Sequence, residues 1–304
     1  MEQSAVWTVL RHMNPLMKRH ILVIAEYTDL NIVGFKHLNV FEYVVFAFDK
    51  SNKCDTDNYI VRLIKCRDNM KELREHLKMT FETLSLGHVY VINERKPMYS
   101  FLKEWYVQNY LEVFQMEPQK YVWEIPHVIV FDMDETLITS EDRVRIRDEF
   151  VYESLEGLKK FGCILILWSY GSREHVSRSM DETELNGFFD IVLCGGYKST
   201  EPSKRTIVDA KSKIVYVERP FYLDNDYSSR ERIPKSPRIP LWYLRKLGVN
   251  YIKTITLVDD LIYNDHSYDY FVNLKRCKEP INDWKYWHET IMSNIINYEN
   301  VYSK

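Results

Sequence analysis

Glycine is scarce, nine in 304 residues, and residues 1–122 contain no glycine loop to cradle a phosphate, no repeat and no metal-ligand spacing. The five cysteines, Cys54, Cys66, Cys163, Cys194 and Cys277, are scattered and never spaced as CxxC. That argues against a disulfide framework and a zinc site. None is followed six residues later by arginine, so the loop of a cysteine-based phosphatase is also missing. No apolar run approaches the roughly 18 residues that cross a bilayer. The first 21 residues carry Arg11, His12, Lys18 and Arg19 and have no signal-peptide core. A soluble, intracellular protein without a membrane partner is expected. A formal charge of -3 and a pI near 6.3 give no global attraction to nucleic acid.

What is present centres on residues 127–137. Val128 to Phe131 are all apolar, which predicts a strand buried on both faces, as in a parallel sheet covered by helices. Asp132 and Asp134 follow at its end. Side chains alternate along an extended chain, so both carboxylates project to one side and Met133 to the other. Like charges this close push one pKa up unless a cation or a proton intervenes. Both outcomes suit phosphoryl chemistry, with one carboxylate attacking phosphorus and its neighbour moving the proton. A capped turn at a strand end uses the same residue types.

Three further strand ends fall in order. Cys163 to Trp168 is wholly apolar and leads to Ser169-Tyr170-Gly171-Ser172. The Ser169 hydroxyl and the N–H groups of the turn can hold phosphoryl oxygens, and Ser172 can cap the next helix; Ser169 as a plain strand-end residue is the alternative. Residues 188–194 form a third strand closed by glycines. Thr254 to Val258 ends in Asp259 and Asp260, and two acidic strand ends can converge on one divalent cation. Ahead of it stands Lys235, before a helix through Leu241 and Leu244 that stops at Gly248; there a lysine would neutralise phosphoryl charge. Lys204 and Lys246 compete for that role.

Around this core, residues 20–25, 43–48 and 88–92 predict strands, and Met70, Leu73 and Leu77 one face of a helix that Asp68 can cap. A second helix is expected over residues 97–114. Residues 116–120 are the best domain boundary, giving an amino-terminal α/β region (1–122) and a second domain (123–304). Residues 139–148 read as an exposed, charged excursion. Phe150, Leu155, Leu158 and Phe161 predict a helix ended by Gly162. Residues 198–234 are long for a connection and predict a small β-insert roofing the site. Their positive charge reads either as a solvated face or as a contact surface for a phosphorylated substrate. A strand at 270–274 and a carboxy-terminal helix with Trp284, Trp287, Ile291, Ile295 and Tyr298 on one face close the chain.

The order Asp132-x-Asp134-x-Thr136, strand-end Ser169, Lys235 before a helix, then Asp259-Asp260 resembles the haloacid dehalogenase superfamily of phosphohydrolases, over about residues 125–278. The wording Asp132-Met133-Asp134-Glu135-Thr136-Leu137 is most similar to its FCP/SCP-like protein-phosphatase branch. The resemblance implies a Rossmann-like, three-layer α/β parallel sheet. It implies Asp132 as nucleophile, Asp134 as general acid and base, Ser169 and Lys235 as phosphate-binding partners, and Thr136, Tyr170 and Gly171 at the substrate. Mg2+ would sit on Asp132, the Asp134 carbonyl and Asp259, with Asp260 as helper or alternative. The whole chain also resembles nucleocapsid-assembly proteins of baculoviruses. That implies a place in the host nucleus and virion, and as substrate the phosphorylated, basic, DNA-condensing viral protein. Two alternatives stand beside a protein phosphatase: a structural nucleocapsid component that binds other capsid proteins, and a nucleotide or polynucleotide-end phosphatase.

Overall fold

The structure is a computed structural model and describes residues 4–24, 26–30, 40–54, 56–67, 70–91, 107–109, 125–140, 143–195, 206–209, 214–217, 235–266 and 268–302. The chain divides into two compact units, Met1–Val122 with Leu244–Ile252, and Trp123–Tyr243 with Lys253–Lys304. The expected boundary at 116–120 lies outside the described residues, as do Asp68 and Lys204.

The first unit contains β1 (Ser4–His12), β2 (Met17–Val23), β3 (Phe41–Ala47), β4 (Tyr59–Arg67), helix α1 (Met70–Thr80), β5 (Val89–Val91) and β6 (Val107–Asn109). They form one mixed sheet in the order β4-β1-β3-β2-β5-β6. β1 is antiparallel to both neighbours, while β3, β2, β5 and β6 run parallel. Its core joins Leu22, Phe41, Val44, Phe46 and Tyr90. Two expectations change here. The helix predicted over 97–114 gives way at residues 107–109 to a strand paired with β5; β-partnering overrides a 3.6-residue apolar spacing that is as compatible with Tyr- and Val-rich sequence in a sheet. The nine-residue strands β1 and β4 were not anticipated, because Arg11, Arg62 and Lys65 break their apolar pattern.

The second unit begins with β7 (Val128–Phe131), α2 (Phe150–Lys160), β8 (Ile164–Ser169), α3 (Arg173–Glu182) and β9 (Ile191–Cys194). It continues with β10 (Thr206–Asp209), β11 (Ile214–Val217), α4 (Arg238–Lys246), β12 (Ile255–Asp259), β13 (Tyr270–Asn273) and α5 (Trp284–Tyr302). The sheet order is β10-β11-β9-β8-β7-β12-β13, and from β9 to β13 all five strands are parallel. Ile129, Phe131, Leu165, Leu167 and Val192 pack in one cluster with Leu155 and Leu158 of α2, Val176 and Met180 of α3, and Trp284, Ile291 and Ile295 of α5. The alternate residues Val128, Val130, Ile166, Trp168 and Leu257 are fully buried too, so β7, β8 and β12 are covered on both faces, as the unbroken apolar runs of β7 and β8 require.

In the expected insert, β10 and β11 form an antiparallel hairpin whose β11 pairs in parallel with β9. The hairpin therefore extends the sheet edge rather than standing apart as its own layer. Residues 139–148 also depart from expectation. Thr139 and Arg147 are buried, and Ile138 bridges Ile146. The Arg147 guanidinium grips Asp283 through Nε and Nη2 at 2.7 and 2.8 Å and donates from Nη1 to the carbonyls of Thr136 and Lys275. A charged sequence reads as exposed, yet a planar guanidinium with a carboxylate and two carbonyl acceptors can be buried.

Chain order fixes where a ligand fits. From β7 the chain moves sideways to β8 and β9, then returns to β12 on the other side of β7. Connections that diverge in this way leave a crevice at the carboxyl ends of β7 and β12.

Candidate active site

β7 delivers Asp132 to that crevice, its N–H bonded to the Val258 carbonyl at 2.9 Å. Met133 turns into the core and is fully buried. Its carbonyl accepts the N–H groups of Leu137 and Ile138 at 2.9 and 3.1 Å, curling the segment into a tight loop. Glu135 takes a left-handed backbone, φ 57°, and Asp134 comes to line the same cavity as Asp132.

Lys235 sits immediately before α4 and is fully buried. Its ammonium donates to Asp132 Oδ1 and, at 2.8 Å, to Asp259 Oδ2, and it lies 5.2 Å from the centre of the Tyr170 ring. Asp259 ends β12 and is held from every side: Oδ1 accepts the Leu261 N–H at 2.8 Å, and the Asn264 amide is 3.0 Å from both oxygens. Asp260 instead lines the cavity. Its oxygens accept from Thr136 Oγ1 at 3.4 Å and Arg276 Nε at 2.9 Å. At the end of β8, Ser169 Oγ donates to Asp134 Oδ2 at 2.8 Å, and the Gly171 N–H donates to that same Oγ at 2.9 Å. His175 Nε2 lies 2.8 Å from Asp134 Oδ1.

The electrostatics show a shortage of positive charge. Burial, reinforced by Asp259 and Asp134 and opposed by Lys235, pushes the Asp132 carboxyl up to about 7. Burial pulls the Lys235 ammonium down, but the Asp132 and Asp259 carboxylates outweigh it and raise it overall. Burial and the Asp259 charge raise Asp260 against the pull of Arg276. Carboxylate oxygens of Asp132, Asp259 and Asp260 lie within 4.8 Å of one another. An all-oxygen, anionic donor set of this kind fits a hard divalent cation such as Mg2+. Asp132 and Asp260 line the cavity, while Asp259 stands beside them with Lys235, Asn264 and the Leu261 N–H as partners. Asp259, the expected ligand, and Asp260, its expected helper, both belong to the acidic group.

The cavity measures about 750 Å³ and is lined by Asp132, Asp134, Tyr170, Gly171, Ser172, His175, Arg178, Asp260 and Arg276 among others. A cavity of about 770 Å³ in the first unit, at residues 26–28 and 47–52, has no buried residue in its lining. Of the residues expected at the substrate, Tyr170 and Gly171 line the site, whereas Thr136 is fully buried with its hydroxyl on Asp260. Lys235 meets Asp132; the side chain of Lys246, its described-helix competitor, lies outside the described residues. Sequence reasoning missed His175, Asn264, Arg276 and Arg147. His175 had a usable signal, since the first turn of a helix that follows a strand's carboxyl end faces the ligand crevice.

The fold and the cluster together define an α/β protein with an anionic, lysine-neutralised centre at the carboxyl edge of a parallel sheet. By sequence, the chain belongs to a family described as proteins of unknown function (DUF705), matched over residues 5–303. It is 42% identical over 312 residues to the "uncharacterized 38.0 kDa protein in P143-LEF5 intergenic region" of Autographa californica nuclear polyhedrosis virus, covering 98% of each chain. It is 44% identical over 294 residues to an uncharacterized 41.0 kDa protein of Cryptophlebia leucotreta granulosis virus, covering 96% of this chain and 85% of the relative. An uncharacterized 36.0 kDa protein of Orgyia pseudotsugata multicapsid polyhedrosis virus is 39% identical over 303 residues, with 97% of each covered. The resemblance to baculovirus proteins is thus upheld across the whole chain. Among the described residues, no helix is long and apolar enough to cross a membrane.

Proposed function

We propose that this chain is a Mg2+-dependent phosphatase of the haloacid dehalogenase type, working through an aspartyl-phosphate. The observation that carries the reading is the buried Lys235 ammonium shared by Asp132 and Asp259, with Asp134 held by Ser169 beside it. Four separate segments of chain meet there in the order that family uses.

Asp132 attacks phosphorus in line. A bond forms between its carboxylate oxygen and phosphorus as the bond from phosphorus to the leaving oxygen breaks, and Asp134 protonates that oxygen. In the second half Asp134 takes a proton from water, which attacks the aspartyl-phosphate and releases inorganic phosphate. Lys235 offsets charge on Asp132 and on the phosphoryl oxygens throughout. Mg2+, which Asp132, Asp259 and Asp260 with the Asp134 carbonyl would hold, would supply further neutralisation of the phosphoryl group.

The substrate we favour is a phosphoprotein, the basic DNA-condensing protein of the virus, acted on in the infected nucleus during nucleocapsid assembly. The chain's relatives are baculovirus proteins, so the substrate is sought among viral proteins. Dephosphorylation would raise that protein's positive charge and tighten its hold on DNA. The test is phosphate release from a phosphoserine peptide and from a nucleotide, with Mg2+ or chelator, by the native chain and Asp132→Asn. Mg2+-dependent release that vanishes in the variant, faster on the peptide, is expected. Faster release from the nucleotide would favour a nucleotide or polynucleotide-end phosphatase. No release from either would favour a structural capsid component, which should keep its capsid partners in Asp132→Ala.

A further inference from the structure

We propose that His175 is a positioning residue for Asp134, and that Ser169, Gly171 and His175 together aim its carboxyl group at the leaving oxygen. The inference rests on the phosphatase reading. Asp134 has a partner on each oxygen, Ser169 Oγ at 2.8 Å on Oδ2 and His175 Nε2 at 2.8 Å on Oδ1. With both ends held, the carboxyl group cannot turn about its Cβ–Cγ bond, and its plane is set relative to Asp132. Proton transfer in a transition state depends steeply on such placement.

The local chain is built for this contact. Ser172 caps α3 by accepting the His175 N–H at 3.2 Å, which places the histidine in the first helical turn, beside the cavity. The imidazole then packs directly on Gly171. A Cβ at 171 would fall 2.5 Å from His175 Cδ2 and 3.1 Å from Ser169 Oγ, so any side chain there displaces the ring. The Gly171 N–H in turn donates to Ser169 Oγ at 2.9 Å, leaving that hydroxyl's proton to point at Asp134. Gly171 therefore serves the acid's geometry through both its N–H and its missing side chain, in addition to bordering the cavity.

The test compares two esters at saturating Mg2+: a phosphoserine peptide, whose alkoxide must be protonated as it leaves, and p-nitrophenyl phosphate, whose phenolate needs no proton. In His175→Ala, kcat/KM on the phosphopeptide should fall on the order of 10- to 100-fold while kcat/KM on the aryl ester changes less than about threefold, because kcat/KM reports the steps up to departure of the leaving group and not the shared attack of water. His175→Gln, whose amide N–H reaches the same oxygen, should restore most phosphopeptide turnover. Gly171→Ala, at a residue that also borders the cavity, should lower turnover of both esters and that of the phosphopeptide more. Equal losses of kcat/KM on the two esters, or no loss in His175→Ala, would overturn the assignment while leaving the phosphatase reading standing. A native chain that releases phosphate from neither ester overturns that reading and this assignment with it.

Discussion

Both units bury polar side chains within a sheet that contains parallel strands, and they do it in opposite ways. In the first, His20 Nδ1 accepts the His88 N–H at 3.1 Å, and His20 Nε2 is 3.2 Å from the Tyr251 hydroxyl. Burial pushes His20 far down and His88 to about 3, so both stay neutral. In the second, the single ammonium group of Lys235 is buried against two carboxyl groups, Asp132 and Asp259. A neutral, hydrogen-bonded cluster costs little and serves packing. An unbalanced ionic one is expensive to bury and makes sense where a cation and a phosphoryl group complete it.

The largest effect should come from Lys235→Met, which leaves two like-charged carboxylates facing each other. Stability should drop by about 3–5 kcal/mol, read from denaturant midpoints, and phosphate release should disappear. A variant as stable as the native chain would break the contrast between the units. Next comes His20→Ala, which strips the His88 N–H and the Tyr251 hydroxyl of a partner. A loss of about 1–3 kcal/mol is expected at pH 8, and it should shrink by up to about 1 kcal/mol at pH 6, because there the unfolded chain's imidazole takes up a proton that the buried His20, pushed down by burial, refuses. A loss that grows toward pH 6 would mean that His20 is charged in the fold and that the first unit also stores charge.

The smallest effect concerns Asp132→Asn in metal-free protein. The Asp132 pKa is raised from 3.8 to about 7 in the fold. The folded state therefore holds the extra proton, and stability falls as pH rises from about 4 to about 7. Removing the acid should raise the melting temperature by a few degrees at pH 8, and the gain should shrink toward pH 5. Saturating Mg2+ should reverse the advantage, because the native carboxylate then has its cation. A gain independent of pH would mean that the charge excess at the site is not what limits stability there.

Much of the second unit was legible in sequence because its signals are local. Val128–Phe131 and Cys163–Trp168 are apolar runs too short for helices, Thr254–Val258 is a run of β-forming residues, and each is followed by the polar residue that reaches the site. The first unit was read less well. β1 and β4 pair with each other over nine residues, but each needs its partner to show which of its mixed residues face inward. The same limit hid Arg147, whose burial depends on Asp283, 136 residues away.

Sequence by itself determined the parallel-sheet class of the second unit, the placing of Asp132, Asp134, Ser169 and Asp259 at strand ends, and membership in a baculovirus protein family. These follow from periodicity, alternation and residue identity along a short stretch of chain. Only the tertiary structure decided that Lys235 bridges Asp132 and Asp259, that Asp260 rather than Asp259 borders the cavity, and that His175 closes on Asp134 over a bare glycine. Each depends on how distant segments approach, set by strand order and by which hydrogen-bond acceptors are already taken, and no spacing along the chain carries that information.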